Sequence, residues 1–288
     1  MIKSLLTSTN PKNNLVLKEW NILSSKEINS IIEKTFTKQL SWSRLTINSK
    51  LNLIKKLSDV LRNRNRELSV LMADEIGKPL LQAESELKKC VWLCEYYIEN
   101  AKKNLTVNHI ETEYYKSYVS YQPIGVVLGV MPWNFPFWQV IRFAIPTLIV
   151  GNTVLLKHAG NVQGCANAIE ECFYEAGFSK YIFNNLQIPS SMVAGIIKNP
   201  KVSGVAVTGS TDTGKAVSRK ASEFLKKTVL ELGGNDPYVI LDDADIDKAV
   251  KSCVEGRLLN SGQSCISAKR LIVTKKNVNA FTKKIIKL

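Results

Sequence analysis

Apolar positions in the first hundred residues recur at helical spacing. Ile28, Ile31, Ile32 and Phe36 share one face of such a repeat. The run opens with Ser24 and Glu27 in the Ser-x-x-Glu order of a capping box, where a hydroxyl and a carboxylate satisfy the first unpaired amides of a helix. Further helices are expected over 49–63, 65–76 and 80–100. The period then changes, and residues 114–121 alternate as a strand does. Beyond them, short apolar runs at 126–131, 153–156, 183–187, 204–208 and 229–232 are separated by helical stretches. Such alternation predicts an α/β fold with a parallel sheet, and a dinucleotide would bind outside the carboxyl ends of its strands. A last helix is expected at 278–287, so the chain stops inside it.

Composition narrows the class. With 288 residues, 45% of them hydrophobic and 22% charged, the chain can bury one large or two ordinary cores. The longest apolar stretch, 143–156, is interrupted by Pro146, Gly151 and Asn152 and is too short to span a bilayer. The opening Met1-Ile2-Lys3-Ser4-Leu5-Leu6 lacks the apolar core of a signal peptide before Thr7 and Ser8 intervene. A cytoplasmic protein with no membrane partner is expected. The formal charge of +14 raises non-specific affinity for phosphate. Its lysines are scattered, however, as in Lys55-Lys56, Lys88-Lys89, Lys102-Lys103 and Lys226-Lys227, with no aromatic interleaving, so nucleic acid is not an expected partner. Six cysteines without zinc-like spacing point to reduced thiols and no metal site.

Two segments near the end carry candidate chemistry. Leu230-Glu231-Leu232-Gly233-Gly234 supplies a carboxylate and Gly262-Gln263-Ser264-Cys265 a thiol. Only two histidines, His109 and His158, are present, so a glutamate is the natural proton acceptor for a nucleophilic cysteine. Upstream, in order, stand Pro132-Trp133-Asn134-Phe135-Pro136, Val154-Leu155-Leu156-Lys157 and Gly209-Ser210-Thr211-Asp212-Thr213-Gly214. Through these five motifs the chain resembles the aldehyde dehydrogenase family, and Lys157-His158-Ala159-Gly160-Asn161-Val162-Gln163-Gly164-Cys165-Ala166 is similar to a bacterial succinate-semialdehyde dehydrogenase branch that uses NAD or NADP. The 209–215 segment also has the G-x-x-x-x-G-K start of a phosphate loop. Ala216 stands where that loop needs a Ser or Thr hydroxyl for magnesium, which disfavours a nucleoside triphosphatase.

The resemblance implies a Rossmann-like cofactor domain and a set of roles. Cys265 would be the nucleophile that forms a thiohemiacetal and then a thioester, Glu231 the base that activates the hydrolytic water, and Asn134 the oxyanion donor. Trp133, Asn134, Lys157, His158, Ala159, Gly160, Gly209, Ser210 and Leu232 would line the NAD(P) site, with Gly209 and Ser210 against the pyrophosphate. Many NAD-preferring members carry an acidic residue where Gly160 stands, so NADP is expected to be accepted here. Arg142, eight residues or about two turns after Asn134 on the helix that starts near Phe137, would hold the distal carboxylate of a semialdehyde. The implied layout is a cofactor domain over 1–230, comprising N-terminal helices to 105, an oligomerisation arm at about 110–122 and a Rossmann-like core at 123–230, followed by the start of a catalytic domain over 231–288. The family's chain continues through an E-x-F-G-P segment absent here. The expectation is therefore a truncated enzyme, homo-oligomeric if full length, whose alternatives are an inactive fragment or one half of a split enzyme completed by a second chain.

Overall fold

The computed structural model describes residues 5–287. Residues 1–4, part of the segment read above against a signal peptide, and Leu288 lie outside the described residues. The described chain divides into two compact units that meet between Glu231 and Leu232.

The first unit begins with an antiparallel pair, β1 (Leu5–Thr9) and β2 (Val16–Asn21), in a region where the hydrophobic pattern predicted only helices. The reason is visible in the exposure of β2: Trp20 alone is buried, so the strand has no alternating face to read. Four helices follow, α1 (Ser25–Ser43), α2 (Ile47–Asn63), α3 (Asn65–Ile76) and α4 (Leu80–Asn104). The capping box is present: Ser24 Oγ accepts from the Glu27 amide while the Glu27 carboxylate accepts from the Ser24 amide. The strand predicted over 114–121 is instead a small hairpin, β3 (Asn108–Ile110) against β4 (Ser117–Val119), and 111–116 form its connection. With neither strand buried, nothing holds a longer register.

The rest of the unit is the predicted parallel sheet. It contains β5 (Val126–Val130), β6 (Thr153–Lys157), β7 (Phe183–Asn185), β8 (Val202–Thr208) and β9 (Lys227–Glu231), in the order β7-β6-β5-β8-β9. Helices α5 (Trp138–Val150), α6 (Gln163–Glu175), α7 (Val193–Lys198) and α8 (Thr211–Ser222) connect them. Every residue of β5 and β6 is buried, as strands covered on both faces must be, which explains their unbroken apolar runs. Val154 and Leu156 of β6 pack with α2 to α6, whereas Leu155 joins β5, β8, α7 and α8 in a second core. The observed β7 ends two residues before its predicted limit, and β9 runs from Lys227 rather than Val229.

The second unit holds β10 (Pro237–Ile240) parallel to β11 (Arg270–Val273), with α9 (Ile246–Leu258) and α10 (Val278–Ile285) packed around Ile240, Val250, Cys253 and Phe281.

Candidate active site

Sheet order creates the site in the first unit. The chain runs outward from β5 through β6 to β7, then returns to the other side of β5 for β8 and β9. Connections that leave β5 and β8 therefore diverge in opposite directions, and a crevice opens at their carboxyl ends. Register pairs Lys157 with Val130, Val130 with Val207 and Val207 with Leu230, and the Thr208–Glu231 pair stands one residue further on, so all lie at the carboxyl end of the sheet. Pro132-Trp133-Asn134 leaves β5 there, and Gly209-Ser210 leaves β8.

At that end each side chain has a defined environment. Ser210 caps α8, its Oγ accepting from the Thr213 amide at 3.2 Å. The Gly209 amide donates to the Glu231 carbonyl at 3.0 Å, which ties the glycine turn to the end of β9. Buried Lys157 donates to Ser190 Oγ at 3.0 Å, and desolvation lowers its pKa. Gly160 opens a short 3-10 turn, and a Cβ there would meet only Leu6 Cδ2 at 3.8 Å. Backbone amides at a capped helix start, an ammonium and an open glycine fit the pyrophosphate and ribose of a dinucleotide. Trp133 is exposed and Asn134 half-buried beside this edge.

His158 is different. It is wholly buried, its Nδ1 accepts from the Ala159 amide at 2.9 Å, and Nε2 therefore carries the proton it donates to the Pro136 carbonyl at 3.0 Å. Desolvation pulls its pKa down to about 4, so the ring is neutral and faces the Pro132–Phe137 segment. Arg142, on α5, lies 3.7 Å from the Glu231 carboxylate, with both side chains partly exposed to solvent. The sequence pattern along α5 carried no sign of this partner.

Cys265 belongs to the second unit. Three consecutive residues, Asn260, Ser261 and Gly262, have left-handed backbone (φ 56°, 56° and 77°) and lead into Gln263-Ser264-Cys265. Two of them are not glycine, so the turn carries strain that surrounding contacts must hold. Arg257 Nη1 donates to the Gly262 carbonyl at 3.1 Å, and Ser267 Oγ to the Ser264 carbonyl at 2.9 Å. Lys269 Nζ bridges the carbonyls of Gly234 and Cys265, each at 2.6 Å. Cys265 is the one free thiol that is not buried, whereas Cys90, Cys94, Cys165, Cys172 and Cys253 are interior and desolvation raises their pKa. Leu232, half-buried, opens this unit.

Sequence reasoning missed Lys78, Glu86 and Lys269. Lys78 and Glu86 form a buried ion pair, with Lys78 also donating to the Asn134 carbonyl at 3.2 Å and Glu86 Oε1 accepting from the Phe137 and Trp138 amides, both at 2.9 Å. No local motif marks residues that act on a loop fifty positions away. Among the described residues no cluster of His, Cys, Asp or Glu could hold a metal ion, and no helix is long and apolar enough to cross a membrane.

A parallel α/β sheet with a crevice at its switch point, followed by a unit that presents a partly exposed cysteine on a strained turn, defines the class. The aldehyde dehydrogenase family model matches residues 3–288, and the chain belongs to that family. It is 39% identical over 282 residues to a probable NADP(+) succinate-semialdehyde dehydrogenase of Synechocystis, covering 98% of this chain and 62% of that relative. It is 39% identical over 245 residues to an NAD(P)+ succinate semialdehyde dehydrogenase of Escherichia coli, covering 85% of this chain and 53% of the relative. Among solved structures, succinic semialdehyde dehydrogenase from Streptococcus pyogenes, in complex with NADP+, matches with a TM-score of 0.95 at 33% identity, over 98% of this chain and 62% of that one. The chain thus spans between 53% and 62% of the length of these relatives.

Proposed function

We propose that the protein oxidises an aldehyde bearing a distal carboxylate, succinate semialdehyde above others, to the acid with NADP or NAD. When bound, the nicotinamide supplies the hydride acceptor; the protein supplies the rest. The Cys265 thiolate attacks the aldehyde carbon and gives a thiohemiacetal, since sulfur is strongly nucleophilic only when deprotonated. The Asn134 side-chain amide donates to the oxygen that becomes negative, an interaction whose removal costs on the order of 10²–10³ in rate at comparable sites. Oxidation of the adduct leaves a thioester on Cys265. Glu231 takes a proton from the water that hydrolyses it, and the free carboxylate departs with Cys265 regenerated.

One observation carries this reading: the register brings Lys157, Val130 and Val207 to one level, with Thr208 and Glu231 one residue beyond, at the carboxyl end of the sheet where the segment bearing Asn134 leaves β5. A dinucleotide lying there would have its nicotinamide end near the two groups the chemistry needs. Lys157 and the α8 start would hold the adenosine and pyrophosphate portions. Arg142 would take the substrate carboxylate, since a guanidinium already within ion-pair distance of one carboxylate is exposed enough to receive another.

The test is aldehyde-dependent formation of NADPH or NADH by the purified protein. Succinate semialdehyde should give a higher kcat/KM than butanal, which lacks the carboxylate. Cys265→Ala should abolish turnover and aldehyde-protectable thiol labelling while cofactor binding persists. Turnover retained in that variant would remove Cys265 from the reaction.

A further inference from the structure

We propose that Lys78 and Glu86, together with His158, are positioning residues for Asn134, and the proposal rests on the reading of Asn134 as the oxyanion donor. Five successive residues are held by three interior side chains. Lys78 Nζ donates to the Asn134 carbonyl at 3.2 Å and lies 4.0 Å from the centre of the Phe135 ring. His158 Nε2 donates to the Pro136 carbonyl at 3.0 Å. Glu86 Oε1 accepts from the Phe137 and Trp138 amides at 2.9 Å each. The residue before α5, Phe137, makes no side-chain cap of its own, since it has no acceptor to offer.

Burial makes the arrangement exacting. The Lys78 and Glu86 side chains are each 1% exposed, and desolvation lowers the lysine pKa and raises that of the glutamate. A buried ion pair contributes little net stability compared with apolar side chains of the same shape. What it provides is direction: each charged group faces the other and one defined stretch of backbone. The cation fixes the peptide that follows Asn134, the anion fixes the amides three and four residues on, and the neutral imidazole fixes the carbonyl between them. Asn134 leaves this segment with its Cα and carbonyl set, so few orientations remain open to its amide. An oxyanion donor works only if it is aimed before charge develops, and a displacement of about 1 Å costs on the order of 10²-fold in rate.

Two measurements test this. The double variant Lys78→Met/Glu86→Gln removes both charges at once, so that no single charge is left buried. Amide exchange across 132–138 should quicken at least tenfold in it, while β6 and α6 keep their protection. Unchanged exchange at 132–138, or loss spread through the whole first unit, would overturn the clamp, and this readout holds whether or not the protein oxidises aldehydes. For aldehyde oxidation, kcat should fall by roughly ten- to a hundredfold, with cofactor affinity and the alkylation rate of Cys265 unchanged. In an Asn134→Ala background the same two substitutions should cost less than twofold, because a residue that acts through Asn134 has nothing left to position. An undiminished loss in that background would overturn the positioning role. Absence of any aldehyde turnover in the wild type would instead refute the proposed function, leaving the exchange result to decide the clamp. Glu86→Gln alone removes only the anion and serves with the same readouts if the double variant does not fold.

Discussion

At the scale of single residues, burial decides what His158 and Gly160 can do. The imidazole is wholly enclosed, and desolvation lowers its pKa from 6.5 to about 4. Between those two values the unfolded chain binds a proton that the folded one refuses. Stability contributed by this residue is therefore complete above pH 6.5 and declines as pH falls towards 4, by about 3 kcal/mol over the window. Urea unfolding of wild type and His158→Gln at pH 7.5, 5.5 and 4.5 should show a steeper acid loss in the wild type. Parallel curves would mean that the ring titrates freely in the folded state. Gly160 faces the opposite circumstance, open space. A side chain there meets only Leu6, so Gly160→Glu should fold and should set a carboxylate beside the proposed ribose site. Like charges a few ångströms apart repel by about 1–4 kcal/mol, and the NADP to NAD ratio of kcat/KM is expected to drop at least fivefold. A ratio unmoved by the substitution would place the ribose elsewhere.

At the scale of elements, α5 is the one the candidate site depends on most. Glu86 caps its start, and Arg142 projects from its second turn towards Glu231. Its far end is closed by Gly151 at φ 110°, where the Gly151 amide returns to Leu148 and that of Asn152 to Thr147. A Cβ there would lie 3.1 Å from the Ser43 backbone. Gly151→Ala combines this approach with left-handed backbone that L side chains resist by roughly 1–2 kcal/mol, and should lower the denaturation midpoint accordingly with little change in the m-value. Equal stability would show that the loop relaxes. The same scale shows why some elements were legible. Helices α1 to α4 carry an apolar face and β5 and β6 are apolar throughout, so each announced its environment. Strands β1 to β3 bury little and left no such trace, and the alternation over 114–121 marked only the neighbourhood of β4. They exist through pairing, which periodicity does not record.

At the scale of the whole molecule, β9 is one of the two edges of the central sheet, and it is bare where the other, β7, is buried. Val229 is 63% exposed and Leu230 39%, on a strand with one unpaired side. Edges of this kind invite pairing with another chain. The net charge of +14 opposes association by repulsion, an effect that salt screens. Self-association measured by light scattering should therefore grow from 20 to 300 mM salt, and Val229→Lys should reduce it at both. Scattering indifferent to the substitution would clear β9 of the role.

The α/β class, the parallel strands after residue 125 and the family itself were determined by the sequence alone. They rest on local regularities, the period of apolar residues and the spacing of short motifs, which a linear reading preserves. The motif residues Asn134, Glu231 and Cys265 could be named for the same reason. Tertiary structure alone decided what surrounds them. The Glu86 carboxylate beneath α5, the tautomer of His158, the Lys269 bridge between Gly234 and Cys265, and the pairing of Arg142 with Glu231 join residues far apart along the chain or on neighbouring elements. A buried polar group finds its partner wherever packing brings one within about 3 Å, and that distance is a property of the folded chain rather than of the order of its residues.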